Sequence, residues 1–321
     1  LPLQRLLPQR PTRQQKNNPI ADRPSRVRAT LRWPFFVCSC LVMSALPRFT
    51  QARCDLTRQI EVLDEQGVKS LVTIPAERAL TIYVDKQEVV TLMTLGANPE
   101  LLVLGYLRNQ RWVSAATEVD SITVDWEAGE AGAGVAAVRT HAGIADLQGR
   151  TEKRVITTGC GQGSVFGDWM LGMDGLRVPR AVISQTRLHH LLNTIRLQET
   201  VYKSAGTVHG CALFIGDALQ IYVEDVGRHN AVDVIAGWLW MNEISLGDEA
   251  VFYTTGRLTS EMVLKSAQMG IGVVVSRNGI TQMGYDLAVQ LGLCAIGRAK
   301  NKHYLVYTAH ERVVADAAMV L

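Results

Sequence analysis

From residue 184 onward the chain alternates strand-like and helix-like runs, and this constrains its fold more than any other feature. Residues 184–200 place Leu188, Leu191, Leu192 and Ile195 at helical spacing. Residues 211–215 and 219–223 read as a hairpin turning at Gly216-Asp217. Helices are predicted over 230–241, 259–269 and 281–291, and strands over 250–254, 272–276 and 303–308. Strands alternating with amphipathic helices bury both sheet faces, which predicts an α/β layer with parallel strands.

The first half reads differently. Residues 79–84 and 88–95 form a predicted strand pair around Asp85-Lys86-Gln87. Asn98-Pro99-Glu100 is a helix start, with Asn as cap, Pro in the first turn and Glu at the positive end of the dipole. That helix carries Leu101, Leu102, Leu104 and Tyr106. Residues 121–126 and 135–141 alternate like strands. The expected division is an α+β domain over 43–156, a flexible Gly/Cys loop over 157–175 and an α/β domain over 176–321.

Residues 1–32 are rich in Arg, Gln and Pro and lack periodicity. The apolar run from Trp33 to Leu46 is short for a membrane span. Basic, apolar and then small residues resemble a signal peptide, but the cleavage pattern is poor. Residues 1–42 are therefore read as a disordered extension or as sequence upstream of the true start, for which Met43 is the candidate.

A net charge of +3 gives no electrostatic case for a nucleic-acid partner. Six cysteines stand at 38, 40, 54, 160, 211 and 294, with no CxxC and no zinc-finger spacing. The expectation is a reducing, cytoplasmic setting. Cys211 and Cys294 lie in apolar runs and read as core. Cys160 is different: residues 157–167 contain four glycines, which forbid a stable helix or strand. A thiol between glycines is open to attack on a sulfur donor, and neighbouring N–H groups can stabilise its thiolate. The plainer reading is an incidental cysteine in a loop.

The densest polar stretch is Glu224-Asp-Val-Gly-Arg-His-Asn-Ala-Val-Asp233, at a predicted strand-to-helix corner. It fits a ligand site at a helix N-terminus, and equally a buried capping network. Polar groups also follow the next two strands: Thr255, Gly256, Arg257, Ser260 and Glu261, then Ser276, Arg277 and Asn278. Ligands of open α/β sheets bind outside the carboxyl ends of strands. Arg228, Arg257 and Arg277 there would suit a phosphorylated ligand, although each alone would serve as a surface or capping residue. No GxGxxG follows a strand, and GxxxxGK[ST], HExxH, GxSxG and the zinc-deaminase pattern are absent.

The 224–233 stretch resembles the signature of the FdhD family, the formate dehydrogenase accessory sulfurtransferases. Agreement continues through Thr255-Gly-Arg-Leu-Thr-Ser-Glu-Met-Val-Leu-Lys265, Ser276-Arg277, Gly159-Cys160-Gly161 and His209, over roughly 75–310. The resemblance implies a C-terminal three-layer α/β/α cytidine-deaminase-like domain without a zinc site, beside a smaller N-terminal α+β domain. It implies a sulfurtransferase that accepts sulfur from a cysteine desulfurase as a Cys160 persulfide. The sulfur goes to molybdenum (or tungsten) bis(molybdopterin guanine dinucleotide) for formate dehydrogenase or a related molybdoenzyme. The family's cofactor segment falls on Arg298, Ala299, Lys300, Asn301, Lys302 and His303. Arg228, His229, Arg257 and Arg277 join it as expected cofactor contacts, with Glu224 or Asp225 orienting His229.

Two departures matter. Where the family commonly has Cys-Gly-x-Cys-Gly, this chain has Cys160-Gly-Gln-Gly163-Ser, so sulfur cannot pass between two cysteines on this loop. Asn278-Gly-Ile-Thr-Gln-Met-Gly284 follows Ser276-Arg277 in place of a Ser/Ala/Pro-type turn, which leaves ligand preference open. The alternative function is a non-catalytic chaperone that holds the cofactor, and a nucleotide-modifying enzyme on the deaminase-like fold is a third. A homodimer is the expected assembly, because two-fold oligomers are the commonest.

Overall fold

The computed structural model describes residues 45–129, 133–147, 149, 155–156, 163–164, 175–198 and 200–316. The extension at 1–42, and Cys160 with most of its loop, lie outside the described residues. From Ser44 onward the chain forms one compact unit.

The N-terminal half begins with β1 (Arg48–Phe49) and a two-stranded ribbon, β2 (Thr57–Leu63) and β3 (Lys69–Pro75). A hairpin follows, β4 (Arg78–Val84) and β5 (Gln87–Thr94). Its turn residues Asp85 and Lys86 have φ of 46° and 74°. Two positive φ values in a two-residue loop match the right-handed twist of the strands. Helix α1 (Pro99–Asn109), then β6 (Val119–Asp125) and β7 (Gly134–Thr140), complete this half. The sheet order is β1-β6-β7-β4-β5.

Helix α1 starts at the expected Pro99, but Asn98 makes no side-chain cap bond. Glu100 does more than face the dipole: its carboxylate accepts from Thr50 Oγ1 (2.8 Å) and the Ala52 N–H (2.6 Å). This ties the strand-β1 segment to the helix.

The short strands β8 (Val155–Ile156) and β9 (Gly163–Ser164) pair antiparallel, which corrects the expectation that the glycines of 157–167 admit no strand, since glycine weakens a strand without forbidding one. Beyond them come β10 (Ile183–Ser184), α2 (Gln185–Leu197) and the short α3 (Val201–Ala205). The second sheet is built from β11 (His209–Ile215), β12 (Ala218–Asp225), β13 (Ala250–Thr254), β14 (Val273–Ser276), β15 (Cys294–Lys300) and β16 (His303–Val306). Helix α4 (Arg228–Met241) follows β12, α5 (Ser260–Gln268) follows β13 and α6 (Gln282–Leu291) follows β14. Strand β17 (Val313–Val314) pairs with β10.

The order is β12-β11-β13-β14-β15-β16. Only β13, β14 and β15 run parallel, while the β11–β12 and β15–β16 hairpins make both edges antiparallel. The predicted hairpin is the β11–β12 edge and the parallel strands are the centre of the sheet, while the antiparallel β15–β16 edge and strand β15 itself are features the sequence pattern did not reveal.

Alternation along the strands separates two faces. Leu213, Phe252, Val274 and Ala295 face the cluster formed with α4, α5 and α6. Phe214, Val251, Tyr253, Val275 and Ile296 face Leu188, Leu191 and Leu192 of α2. The first cluster continues without a break into Leu80 and Ile82 of β4 and Leu104 and Leu107 of α1. Full burial of each such leucine contributes about 2–3 kcal/mol.

Helices α1 and α4 join the two halves. A Cβ on Gly105 would strike the Asp233 carbonyl, and one on Gly237 would strike the Leu101 carbonyl. The two glycines let the backbones touch, at a cost of about 1 kcal/mol each in helix propensity. Among the described residues no helix is long and apolar enough to cross a membrane.

Candidate functional site

Strand β12 ends in Glu224 and Asp225, and the chain turns at once into α4. The helix begins at Arg228, two residues before the position expected from spacing. Arg228 and His229 therefore occupy its first turn and are buried rather than lying in a loop.

Asp225 holds the corner together. Its carboxylate accepts from Thr94 Oγ1 (2.5 Å), the Leu95 N–H (3.0 Å), the Gly227 N–H (2.9 Å) and Asn230 Nδ2 (2.7 Å). Burial raises its pKa against the lowering effect of these bonds. The Thr94 and Leu95 partners belong to the N-terminal half, so this carboxylate also joins the two sheets.

Neither Glu224 nor Asp225 orients His229. That position belongs to Glu261 of α5, whose Oε2 is 3.3 Å from His229 Nε2. The contact places the ring hydrogen on Nε2. Burial first, then Lys265, Arg228 and His209, hold the His229 pKa well below 6.5, so the ring is neutral at pH 7. Lys265, fully buried, donates from Nζ to Asp233 Oδ2 (2.8 Å) and lies 3.9 Å from Glu261 Oε1. Asn109 of α1 donates to Asp233 Oδ1 (2.6 Å). A continuous polar chain thus crosses the interior from His229 to α1.

His209, at the start of β11, lies half-buried beside this chain with Nδ1 3.4 Å from Thr255 Oγ1. Burial, Arg228 and Arg257 lower its pKa. Arg228 packs over Gly256, where a Cβ would meet the Arg228 Cδ at 2.8 Å. The ends of β13 and β14 are stitched by Ser276 Oγ donating to the Gly256 carbonyl (2.6 Å) and Asn278 Nδ2 donating to the Thr255 carbonyl (2.7 Å).

A cleft of about 250 Å³ opens at these strand ends. Its cations are Arg196 of α2, Lys203 of α3, Arg277 after β14 and Lys300 of β15. Its aromatic groups are Tyr202, Tyr222 and Tyr253, with Thr255, Gly210 and Asn301 among the other lining residues. Gly210 is required there, because a side chain would strike the Tyr222 hydroxyl. Burial, and then the neighbouring Glu224 carboxylate, raise the Tyr222 pKa; burial pushes Tyr253 up to about 12. Arg277 Cζ sits 5.7 Å from the centre of the Tyr202 ring.

The expected contact residues therefore separate. Arg277, Ala299, Lys300 and Asn301 come together on the cleft. Arg228 and His229 lie buried in the interior instead. Arg257, Arg298, Lys302 and His303 are exposed and do not line this cleft. Arg298 adopts a φ of 50°, and its N–H donates to the Asn278 carbonyl (2.7 Å). Cys160 lies outside the described residues. Cys211 and Cys294 are fully buried, which pushes their thiols up to about 12 and about 11. Among the described residues no group of three His, Cys, Asp or Glu could hold a metal ion.

Sequence reasoning missed Arg196, Tyr202, Lys203, Tyr222 and Tyr253. Arg196, Tyr202 and Lys203 lie away from the predicted strand ends, and Tyr222 and Tyr253, one residue inside such ends, read as core, so only the fold brings them to the cleft. Asn109 was equally hidden, because its partner Asp233 is 124 residues away.

Comparison with known proteins matches this arrangement. The sequence pattern of the FdhD/NarQ family covers residues 75–314. "Sulfur carrier protein FdhD" of Bacillus licheniformis is 30% identical over 241 residues, 74% of this chain and 88% of the relative. The protein of that name from Bacillus subtilis is 29% identical over 256 residues, 78% and 94% of the two chains. The one from Geobacillus kaustophilus is 26% identical over 246 residues, 75% and 90%. A crystal structure of a putative formate dehydrogenase accessory protein from Desulfotalea psychrophila superposes with a TM-score of 0.65. It is 23% identical, and the match covers 81% of this chain and all of that one, which shows a shared fold. The family pattern spans the second sheet, the first sheet apart from β1, the buried polar chain and the cleft, and the chain belongs to the FdhD/NarQ family.

Proposed function

We propose that this chain is a cytoplasmic sulfur carrier for formate dehydrogenase maturation, and that Cys160 carries the sulfur. The observation that carries the reading furthest is the cleft, where Arg277, Lys300, Arg196 and Lys203 meet three tyrosines. Cations beside aromatic faces suit a nucleotide, which is both anionic and planar. A volume near 250 Å³ lies just below the range of small-ligand pockets, about 300–1,000 Å³, and suits one nucleotide end rather than a whole dinucleotide cofactor. The cargo in this reading is molybdenum (or tungsten) bis(molybdopterin guanine dinucleotide). Arg277, Lys300 and Asn301 would hold one guanine end. Arg298, Lys302 and His303, adjacent in sequence to the cleft residues, would serve its phosphates together with Arg257. Arg228 and His229 support the strand ends from within. The helices on both faces of the second sheet fit a cytidine-deaminase-like layering.

The chemistry begins on the Cys160 thiolate. It attacks the outer sulfur of a persulfide on a cysteine desulfurase, forming a new S–S bond as the donor S–S bond breaks. The donor cysteine leaves as thiolate, with no net oxidation. On delivery the outer sulfur leaves as sulfide and Cys160 returns to thiolate. The two electrons for that step come from a dithiol reductant or from the cargo metal.

A second reading, a cofactor-holding chaperone that moves no sulfur, is favoured by one observation. Gly163, in strand β9, stands where the resemblance places a second cysteine. Intact-protein mass spectrometry after incubation with a cysteine desulfurase and cysteine separates the two. The carrier gains about 32 Da, reversible by thiol reductant, in wild type and not in Cys160→Ala. No gain in wild type, with a desulfurase that loads a related carrier, leaves the chaperone reading. Equal gain in the variant moves the role to another cysteine.

A further inference from the structure

We propose that Glu224 is a positioning residue for the cleft: its carboxylate holds α3 so that the Tyr202 ring stacks on a planar ligand whose phosphate Arg277 reaches. The proposal rests on the nucleotide reading of the cleft and goes beyond it by naming what sets the stack.

Helix α3 has five residues, far below the length at which a helix persists by itself. Its first N–H groups need partners, and side chains supply them. Glu224 Oε2 accepts from the Val201 N–H (2.6 Å), and Oε1 accepts from the Tyr202 N–H (3.1 Å). Thr200 Oγ1 accepts from the Lys203 N–H (3.2 Å). One carboxylate from the end of β12 therefore fixes the first two residues of α3. Of the three residues these bonds fix, two line the cleft: Tyr202 and Lys203.

Tyr202 is suitably placed to stack. The residue is 46% exposed, which leaves its ring open to a ligand. The Arg277 guanidinium already lies within cation–π distance of the ring. A planar base brought to the cleft can stack on the same ring, and Arg277 is then released toward the ligand's phosphate. Glu224 does not itself line the cleft; it holds the Tyr202 backbone and neighbours the Tyr222 hydroxyl. It acts through α3, which makes the idea separable from a binding role.

The test measures GMP binding to the full chain by titration calorimetry for wild type, Glu224→Ala, Tyr202→Ala and the double variant. Glu224→Gln, which keeps one acceptor, is included in case the alanine variant folds poorly, and thermal unfolding checks folding of each. Loss of a base–aromatic stack weakens binding by about tenfold or more. Tyr202→Ala is expected to lose that much, Glu224→Ala slightly less, and Glu224→Gln least of the three. The double variant should bind only slightly worse than Tyr202→Ala, because the ring is the main group that Glu224 positions and only Lys203 remains. Losses that multiply in the double variant would overturn the proposal, as would wild-type affinity in Glu224→Ala. If wild type itself shows no saturable GMP binding, the nucleotide reading fails and the stack with it. Sulfur loading at Cys160 is a separate measurement and would stand.

Discussion

The cleft and the buried polar chain are built from the same stretches of sequence, yet they put them to opposite uses. Residues 224–233 contribute Glu224 to the support of the cleft, and His229 and Asp233 to the interior. Residues 255–265 contribute Thr255 to the cleft, and Glu261 and Lys265 to the interior. In the cleft, cations stand beside rings that range from the exposed Tyr202 to the buried Tyr253. In the interior each charge is matched at short range and sealed by α1, α4 and α5. A dense polar motif is therefore no direct map of ligand contacts. Much of it holds two helices and two sheets in the register that creates the cleft.

The sharpest way to break this comparison is to remove the interior cation. Lys265→Met keeps the bulk but leaves Asp233 and Glu261 without it in a fully buried setting. Breaking a buried pair by removing one partner costs about 3–5 kcal/mol. Chemical denaturation should show a loss of that size. A loss under about 1 kcal/mol would mean that water reaches the chain and that it is no interior network.

The alternating elements from residue 184 were legible because the predicted strands carry three to five consecutive apolar residues and each helix a clear stripe. Strand β15 was not, because Cys294-Ala-Ile-Gly-Arg-Ala-Lys300 is interrupted by Gly297 and by Arg298 with its positive φ. The ribbon β2–β3 was hidden by its exposure, since a strand with few buried residues shows little alternation. Gly105 and Gly237 did carry a signal. A mid-helix glycine is costly without a packing reason, and theirs is the α1–α4 contact. Within the site, Arg277, Lys300 and Asn301 could be named in advance from strand-end placement and resemblance. The tyrosines could not, because no local pattern distinguishes a cleft tyrosine from a core one.

A smaller effect comes from pH. Both His229 and His209 have folded pKa values below 6.5, so the unfolded chain binds their protons more readily. Stability should be full above pH 6.5 and fall as pH drops through and below that value. Asp225 shifts the other way. Its raised pKa contributes stability in acid that is lost as pH rises, so it cannot cause an acid fall. His229→Gln should flatten the dependence of the melting temperature between pH 7 and 5. An unchanged slope in that variant would assign the acid sensitivity to His209 or to groups elsewhere.

The smallest expected effect on stability is at the cleft, and it completes the contrast with Lys265. Arg277 is exposed, its recorded side-chain partner is the Tyr202 ring, and no buried charge depends on it. Surface substitutions of this kind usually change stability by within about 0.5 kcal/mol. Arg277→Ala should therefore unfold at the wild-type denaturant midpoint while its GMP titration weakens. Lys265→Met should show the reverse ordering, with a large loss of stability, and any loss of binding should follow from the unfolded fraction alone. Measured side by side, the two variants separate a residue that makes the cleft from one that makes the structure around it. If Arg277→Ala destabilised the chain as much as Lys265→Met, the strand-end arginine would be part of the scaffold, and the division between the two regions would be wrong.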